Sequence, residues 1–166
     1  MKALARFADS IALTVESSRA YFSSKANVTV TGYPLRQGLE SWTRDQALRA
    51  LSLPSDLPVL LVTGGSKGAR SINRAISAGL PQLLLSMQVV HISGQLDHAE
   101  MEQARAALPA ELASNYHLYS YLHEEMGAAL RAADLAVMRA GASTLGELPL
   151  FGLPAILVPY PYAWRY

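Results

Sequence analysis

The stretch LLVTGGSKGARS, Leu60 to Ser71, is an apolar run that stops at two glycines, meets a third at Gly68 and passes into a segment of helical pattern. An apolar strand that turns through glycines into a helix is the opening of a βα unit. The same order recurs along the chain. Strands are predicted at Asn27–Thr31, Pro58–Thr63, Gln88–Ser93, His117–Tyr121, Asp134–Met138 and Pro154–Pro159. Helices are predicted at Leu39–Leu51, Ala69–Leu85, Ala99–Leu108, Glu124–Ala133 and Thr144–Phe151. This alternation implies an α/β domain, a Rossmann-like parallel sheet with helices on both faces. The strands are near-continuous apolar runs, as expected when helices cover both faces. TGYPLRQG, Thr31–Gly38, reads as a linker, with an amphipathic segment and one strand before it.

Composition narrows the function. The chain has 166 residues, 51% of them apolar, enough for one well-formed core. Fourteen basic and 13 acidic residues leave a net charge of +1, without the basic stripe that a nucleic-acid partner requires. There is no cysteine, which removes disulfides, thiolate metal sites and cysteine nucleophiles. Arg6 and Asp9 interrupt the apolar amino-terminal stretch, so it does not read as a signal peptide. No run approaches the roughly 20 apolar residues of a membrane span, which suggests a soluble or peripheral chain. The ending PAILVPYPYAWRY is a strand and an aromatic loop, which reads as a fragment of a larger domain.

In an open α/β sheet, ligands bind beyond the carboxyl ends of the strands. TGGSKGARS stands at such an end. Gly64, Gly65 and Gly68 would let an anion approach, Ser66 could add a hydroxyl donor, and the following helix would point its amides outward. The alternative is a tight turn with Ser66 as N-cap. Neither GxGxxG nor GxxxxGK[ST] is present. A second junction, RAGASTLGE, Arg139–Glu147, has small residues at Ala140, Gly141 and Ala142 and hydroxyls at Ser143 and Thr144. Glu147 there could accept from a vicinal diol such as a ribose, or could close a capping box with Thr144. One exit suited to an anion and one to a diol point to a nucleotide.

Arg36 is a candidate phosphate partner or a solvated loop residue. The four histidines lack metal-ligand spacing: His91 reads as a core residue, His98 and His117 as surface residues. No Asp-x-Asp is available to hold a metal against a diphosphate. Tyr160, Tyr162, Trp164 and Tyr166 form an apolar tip.

VTGYPLR (Val30–Arg36), LLVTGGSKGARSIN (Leu60–Asn73), YLHEEMGAALRAADLAVMRAGASTLGEL (Tyr121–Leu148) and GLPAILVPYP (Gly152–Pro161), in that order, resemble the carboxyl-terminal half of MurG-type glycosyltransferases of family 28. The resemblance covers most of the chain from Asn27 onwards. It implies an incomplete carboxyl-terminal domain of a GT-B fold. Residues 1–37 would be the last helix and strand of an amino-terminal domain plus the hinge, and residues 38–166 a truncated UDP-sugar domain. It implies inverting transfer of N-acetylglucosamine from UDP-GlcNAc to a lipid-linked muramoyl-pentapeptide, lipid I, giving lipid II for peptidoglycan, without a cofactor or metal.

The resemblance also implies site roles. Gly65 and Ser66 would serve the diphosphate and Arg36 the phosphates. Ala142, Ser143 and Thr144 would form a second phosphate turn, and Glu147 would hold the ribose. The backbone near Leu122, flanked by Met126, would read uracil, although His123 looks like an inserted residue that could shift this contact. The catalytic base, the acceptor loop and peripheral docking to the cytoplasmic membrane face would belong to the missing domain, leaving this chain inactive alone. Two alternatives are another family 28 lipid glycosyltransferase, such as one acting on diacylglycerol, and a non-catalytic nucleotide-sugar-binding subunit of a split enzyme.

Overall fold

The computed structural model describes residues 4–65 and 68–161. Ser66, Lys67, Tyr162, Trp164 and Tyr166 lie outside the described residues. The chain divides into two compact units, Met1–Arg36 and Gln37–Tyr166.

In the first unit, β1 (Ile11–Leu13) pairs in parallel with β2 (Val28–Val30). A 3-10 helix, Glu16–Tyr21, connects them. Arg19 ties that helix to its surroundings, pairing with Glu16 at 2.6 Å and donating to the Val28 carbonyl at 3.0 Å. The expected helix before this strand is therefore not an α-helix. The residues ESSRAY favour local turns, since serine hydroxyls compete with the backbone ladder.

The second unit is built on five parallel strands: β3 (Val59–Thr63), β4 (Gln88–Ile92), β5 (Tyr116–Tyr119), β6 (Leu135–Arg139) and β7 (Ala155–Val158). Their order is β5-β4-β3-β6-β7. The chain begins in the middle, winds to one edge, then crosses back to β6. Leu60 aligns with Val89 on one side and with Leu135 on the other. Every residue of β3 and β4 is buried, which fits the apolar run of β3; in β4 the buried polar side chains of Gln88 and His91 are hydrogen-bonded.

Helices cover both faces. On one face lie α1 (Arg44–Ala50), α5 (Met126–Ala132) and α6 (Ala142–Phe151). Their core joins Leu48, Leu130 and Leu148 to Leu61, Val90 and Ala136. On the other face, α2 (Arg70–Leu83) packs Ile72 and Leu80 on Leu60, Val62 and Val89. Tyr116, with Leu108 and Leu112, extends that core. Helix α3 (His98–Ala106) and the short α4 (Ala110–Ala113) lead into β5. Alternate strand residues thus feed opposite cores, as the pleat demands.

Helix α1 starts five residues later than its sequence pattern suggested. Thr43 caps it, with Thr43 Oγ1 accepting from the Gln46 amide at 3.3 Å and Gln46 Oε1 accepting from the Thr43 amide at 3.0 Å. This capping box sets the first turn. At the amino ends of the strands, Asp134 accepts from the Val59 amide and from Arg44, both at 2.9 Å.

Candidate nucleotide site at the sheet switch point

Because all five strands are parallel, every strand exit and every following helix start lies on one edge of the sheet. The winding direction reverses between β3 and β6, which are hydrogen-bonded neighbours. That is the switch point at which open α/β sheets hold ligands. Its two exits are the two glycine-containing junctions read from the sequence.

After β3, the three glycines do different jobs. A side chain on Gly64 would strike the Ala69 backbone, so Gly64 serves close packing of the helix start. Gly68 has φ +76, and a side chain there would strike the Ser93 carbonyl. Gly65 has φ +88 and only open space where its side chain would stand. Its amide donates to Thr63 Oγ1 at 3.2 Å, and its carbonyl accepts from the Gly68 amide at 2.9 Å. Helix α2 begins at Arg70 with Ala69 as N-cap, so the reading of Ser66 as its N-cap does not hold. The cap falls later because Gly68 must first clear the Ser93 backbone.

After β6, the chain turns at once. The Gly141 amide donates to the Arg139 carbonyl at 2.8 Å, and Gly141 is the N-cap of α6, with no side-chain cap bond. The helix starts two residues before the expected Thr144. Ala142, Ser143 and Thr144 therefore occupy its first three positions, whose amides have no carbonyl one turn back within the helix. The Thr144–Glu147 capping box is not formed, since Thr144 is a buried residue inside the first turn. Glu147 lies one turn further in, half-buried.

The remaining sequence candidates divide between the units. Leu122 is buried in the α1/α5/α6 core, and half-buried Met126 opens α5 against that core. Both precede or begin a helix on the α6 face, at the strand-exit edge. His123 packs its ring on Tyr121, edge to face, with centroids 4.6 Å apart. Arg36 closes the first unit and is exposed.

Sequence reasoning passed over Arg139. It ends β6, donates to the Pro159 carbonyl at 2.8 Å and reaches Ser71 Oγ on α2 at 3.0 Å. One guanidinium thus spans the exit of β7 and the start of α2. Its partners lie 20 and 68 residues away, beyond any local signal. His91 is a satisfied core residue: Nδ1 meets the Tyr116 hydroxyl at 2.8 Å and Nε2 meets Asn73 Oδ1 at 3.0 Å. Burial, with His98 adding to it, lowers its pKa to about 4, so it is neutral at physiological pH. His117 is not a surface residue; it sits half-buried in β5, and burial followed by the Arg105 charge lowers its pKa. His98 is likewise partly covered, 3.2 Å from Ser93 Oγ. Among the described residues no cluster of three or more histidine, aspartate or glutamate side chains is placed to hold a metal ion.

A five-stranded parallel sheet in this order, with helices on both faces, matches the carboxyl-terminal half of the GT-B fold. A sequence model of the glycosyltransferase family 28 C-terminal domain matches residues 59–165, and the chain belongs to that family. It is 43% identical over 194 residues to the UDP-N-acetylglucosamine–N-acetylmuramyl-(pentapeptide) pyrophosphoryl-undecaprenol N-acetylglucosamine transferase of Roseiflexus sp. (strain RS-1), covering 98% of this chain and 44% of that protein. It is 41% identical to the transferase of the same name from Desulforamulus reducens, covering 96% of this chain and 44% of the other. The crystal structure of Acinetobacter baumannii MurG superposes with a TM-score of 0.65 at 26% identity, over 98% of this chain and 43% of that one. The chain thus spans less than half the length of these relatives. Among the described residues no helix is long and apolar enough to cross a membrane.

Proposed function

We propose that this chain is the donor-binding half of an inverting N-acetylglucosaminyltransferase. The substrates are UDP-GlcNAc and lipid I, and the product is lipid II for peptidoglycan. The observation that carries the reading is the pairing of β3 with β6, which sets an open glycine exit beside a helix start lacking a side-chain cap. The names of the relatives supply the substrates.

In this reading the Gly65–Ser66 loop and the first-turn amides of Ala142, Ser143 and Thr144 face the diphosphate. Glu147 accepts from the ribose hydroxyls, the backbone at Leu122 beside Met126 reads uracil, and Arg36 approaches the phosphates. Residues 1–37 are the end of a preceding domain with its hinge, and residues 38–166 are the donor domain. As the anomeric bond breaks, UDP gains negative charge, and the two helix starts stabilise it. The acceptor hydroxyl's base, the lipid contact and peripheral attachment to the cytoplasmic membrane face belong to the remainder of a relative-length enzyme. The purified chain by itself is expected to form no lipid II from lipid I, because both reactants must be held together.

The test is calorimetric titration of UDP into the chain and into Glu147→Gln, beside thermal melts of both. A charge-assisted hydrogen bond contributes about 1.5–3 kcal/mol, so affinity should fall by about tenfold or more. The melting temperature should barely move, since no helix cap is lost. Equal affinities, or an affinity loss matched by a collapse in stability, would remove the ribose assignment.

A further inference from the structure

The end of β4 is joined to the start of α2 by a buried run of hydrogen bonds that donor recognition leaves unused. Asn73, on α2, is fully buried. Its amide nitrogen donates to the Ser93 carbonyl at 2.8 Å and to Asp97 Oδ2 at 2.9 Å. The Ser93 carbonyl can only accept, which fixes the amide's orientation: Oδ1 faces His91 and must accept. His91 Nε2 therefore holds the ring proton, and Nδ1 accepts from the Tyr116 hydroxyl. The other Asp97 oxygen accepts from Arg70 Nε at 3.0 Å, at the first residue of α2. The donors run from Tyr116 on β5 through His91 on β4 and Asn73 to Asp97, where Arg70 donates from the other side.

The Ser93 carbonyl is also the atom that a side chain on Gly68 would strike. Asn73 thus grips, from inside the core, the backbone against which the loop after β3 closes. An alanine here would leave the His91 N–H and the Ser93 carbonyl without their partner. An aspartate would set a second carboxylate against Asp97. Only a side-chain amide donates twice and accepts once at this place.

We propose that Asn73 is a positioning residue for the donor phosphate loop. By fixing Ser93 and Asp97 to α2, it sets the floor under Gly68 and so the place of the loop amides that face the diphosphate. This role rests on the donor reading given above. A network that only stabilised the core would act through total stability, whereas a brace acts on the loop it holds.

The experiment compares the full chain with Asn73→Ala and with Tyr116→Phe, which removes the far end of the run and leaves Asn73 bound to Ser93 and Asp97. Amide exchange and resonance positions of Gly68 and Gly94 are followed by NMR without ligand, and UDP affinity is then titrated. Asn73→Ala is expected to raise exchange at Gly68 by about tenfold relative to the β3 amides, and to weaken UDP by a similar factor. Tyr116→Phe is expected to lower the melting temperature while leaving both within about twofold. If Asn73→Ala does not fold, Asn73→Ser, whose hydroxyl has a single donor and cannot hold both Ser93 and Asp97, gives the same reading. Unchanged Gly68 exchange, or an equal effect from Tyr116→Phe, overturns the positioning role. A wild-type chain with no UDP affinity removes the donor reading instead, and the Gly68 comparison still decides whether Asn73 holds the loop.

Discussion

After β3 the chain takes six residues, 64–69, to reach its helix; after β6 it takes two, 140–141. The long exit is closed from below. Gly64 and Gly68 have backbone packed where a side chain would stand, and the Asn73–His91–Asp97 run lies beneath them. The short exit is open. Nothing lies within 4 Å of the place where a Gly141 side chain would be, and the brace at its base is the single guanidinium of Arg139. The glycine-rich exit is therefore the more constrained of the two. Two of its three glycines answer to the protein's own backbone, and only Gly65 leaves room for something else. Counting glycines overstates the space offered to a ligand; asking what each missing side chain would meet measures it.

The sharpest way to break this comparison is to put the same methyl group at both exits. Gly68→Ala combines a left-handed backbone, about 1–2 kcal/mol, with overpacking against Ser93, about 1–3 kcal/mol. Urea unfolding should show a loss of about 3 kcal/mol. Gly141→Ala, at φ −102 in open space, should cost less than about 1 kcal/mol. Equal losses would dissolve the distinction.

The brace under the long exit has a pH signature. The unfolded His91 ring takes up a proton near its ordinary pKa of 6.5, whereas the folded ring does so only near about 4. Between these values the unfolded chain binds the extra proton, so stability falls as pH drops through that window and levels off below it. The shift is worth about 3 kcal/mol. His91→Leu should flatten most of this slope in unfolding measurements from pH 7 to pH 4, with His117 supplying a smaller remainder. A slope that survives the substitution would mean that burial does not hold the His91 ring neutral.

A smaller effect is expected at the second brace. Arg139→Ala removes two exposed hydrogen bonds and should cost about 1 kcal/mol. Its NMR changes should spread to Ser71 at the start of α2, because the guanidinium links the two exits. Changes confined to β6 and β7 would show that the exits are independent.

The strands were legible because burial on both faces writes itself as an unbroken apolar run, as in Val59–Thr63. Helix starts were less so. The Thr144-x-x-Glu147 pattern looks like a cap, but backbone geometry places the cap at Gly141, where no side chain can advertise it. The three-residue β1 and four-residue α4 are too short to show a period and were missed. The character of His91 as a satisfied core residue could be read from its strand. Its partners could not, since Asn73 and Tyr116 lie 18 and 25 residues away. Arg139 escaped for the same reason: its work is to connect segments that only the fold brings together.

The adjacency of β3 and β6 has a kinetic consequence. Leu60 pairs with Leu135, so this ladder closes about 75 residues of chain, whereas the other ladders of the sheet close far shorter segments. Closure entropy rises with the length enclosed, so this ladder is the costliest to form early. The cleft between the two exits is then among the last features to be completed. On the proposed donor reading, UDP binds only the finished cleft, and it should slow unfolding and leave the folding rate unchanged. Stopped-flow measurements with and without UDP would read this directly.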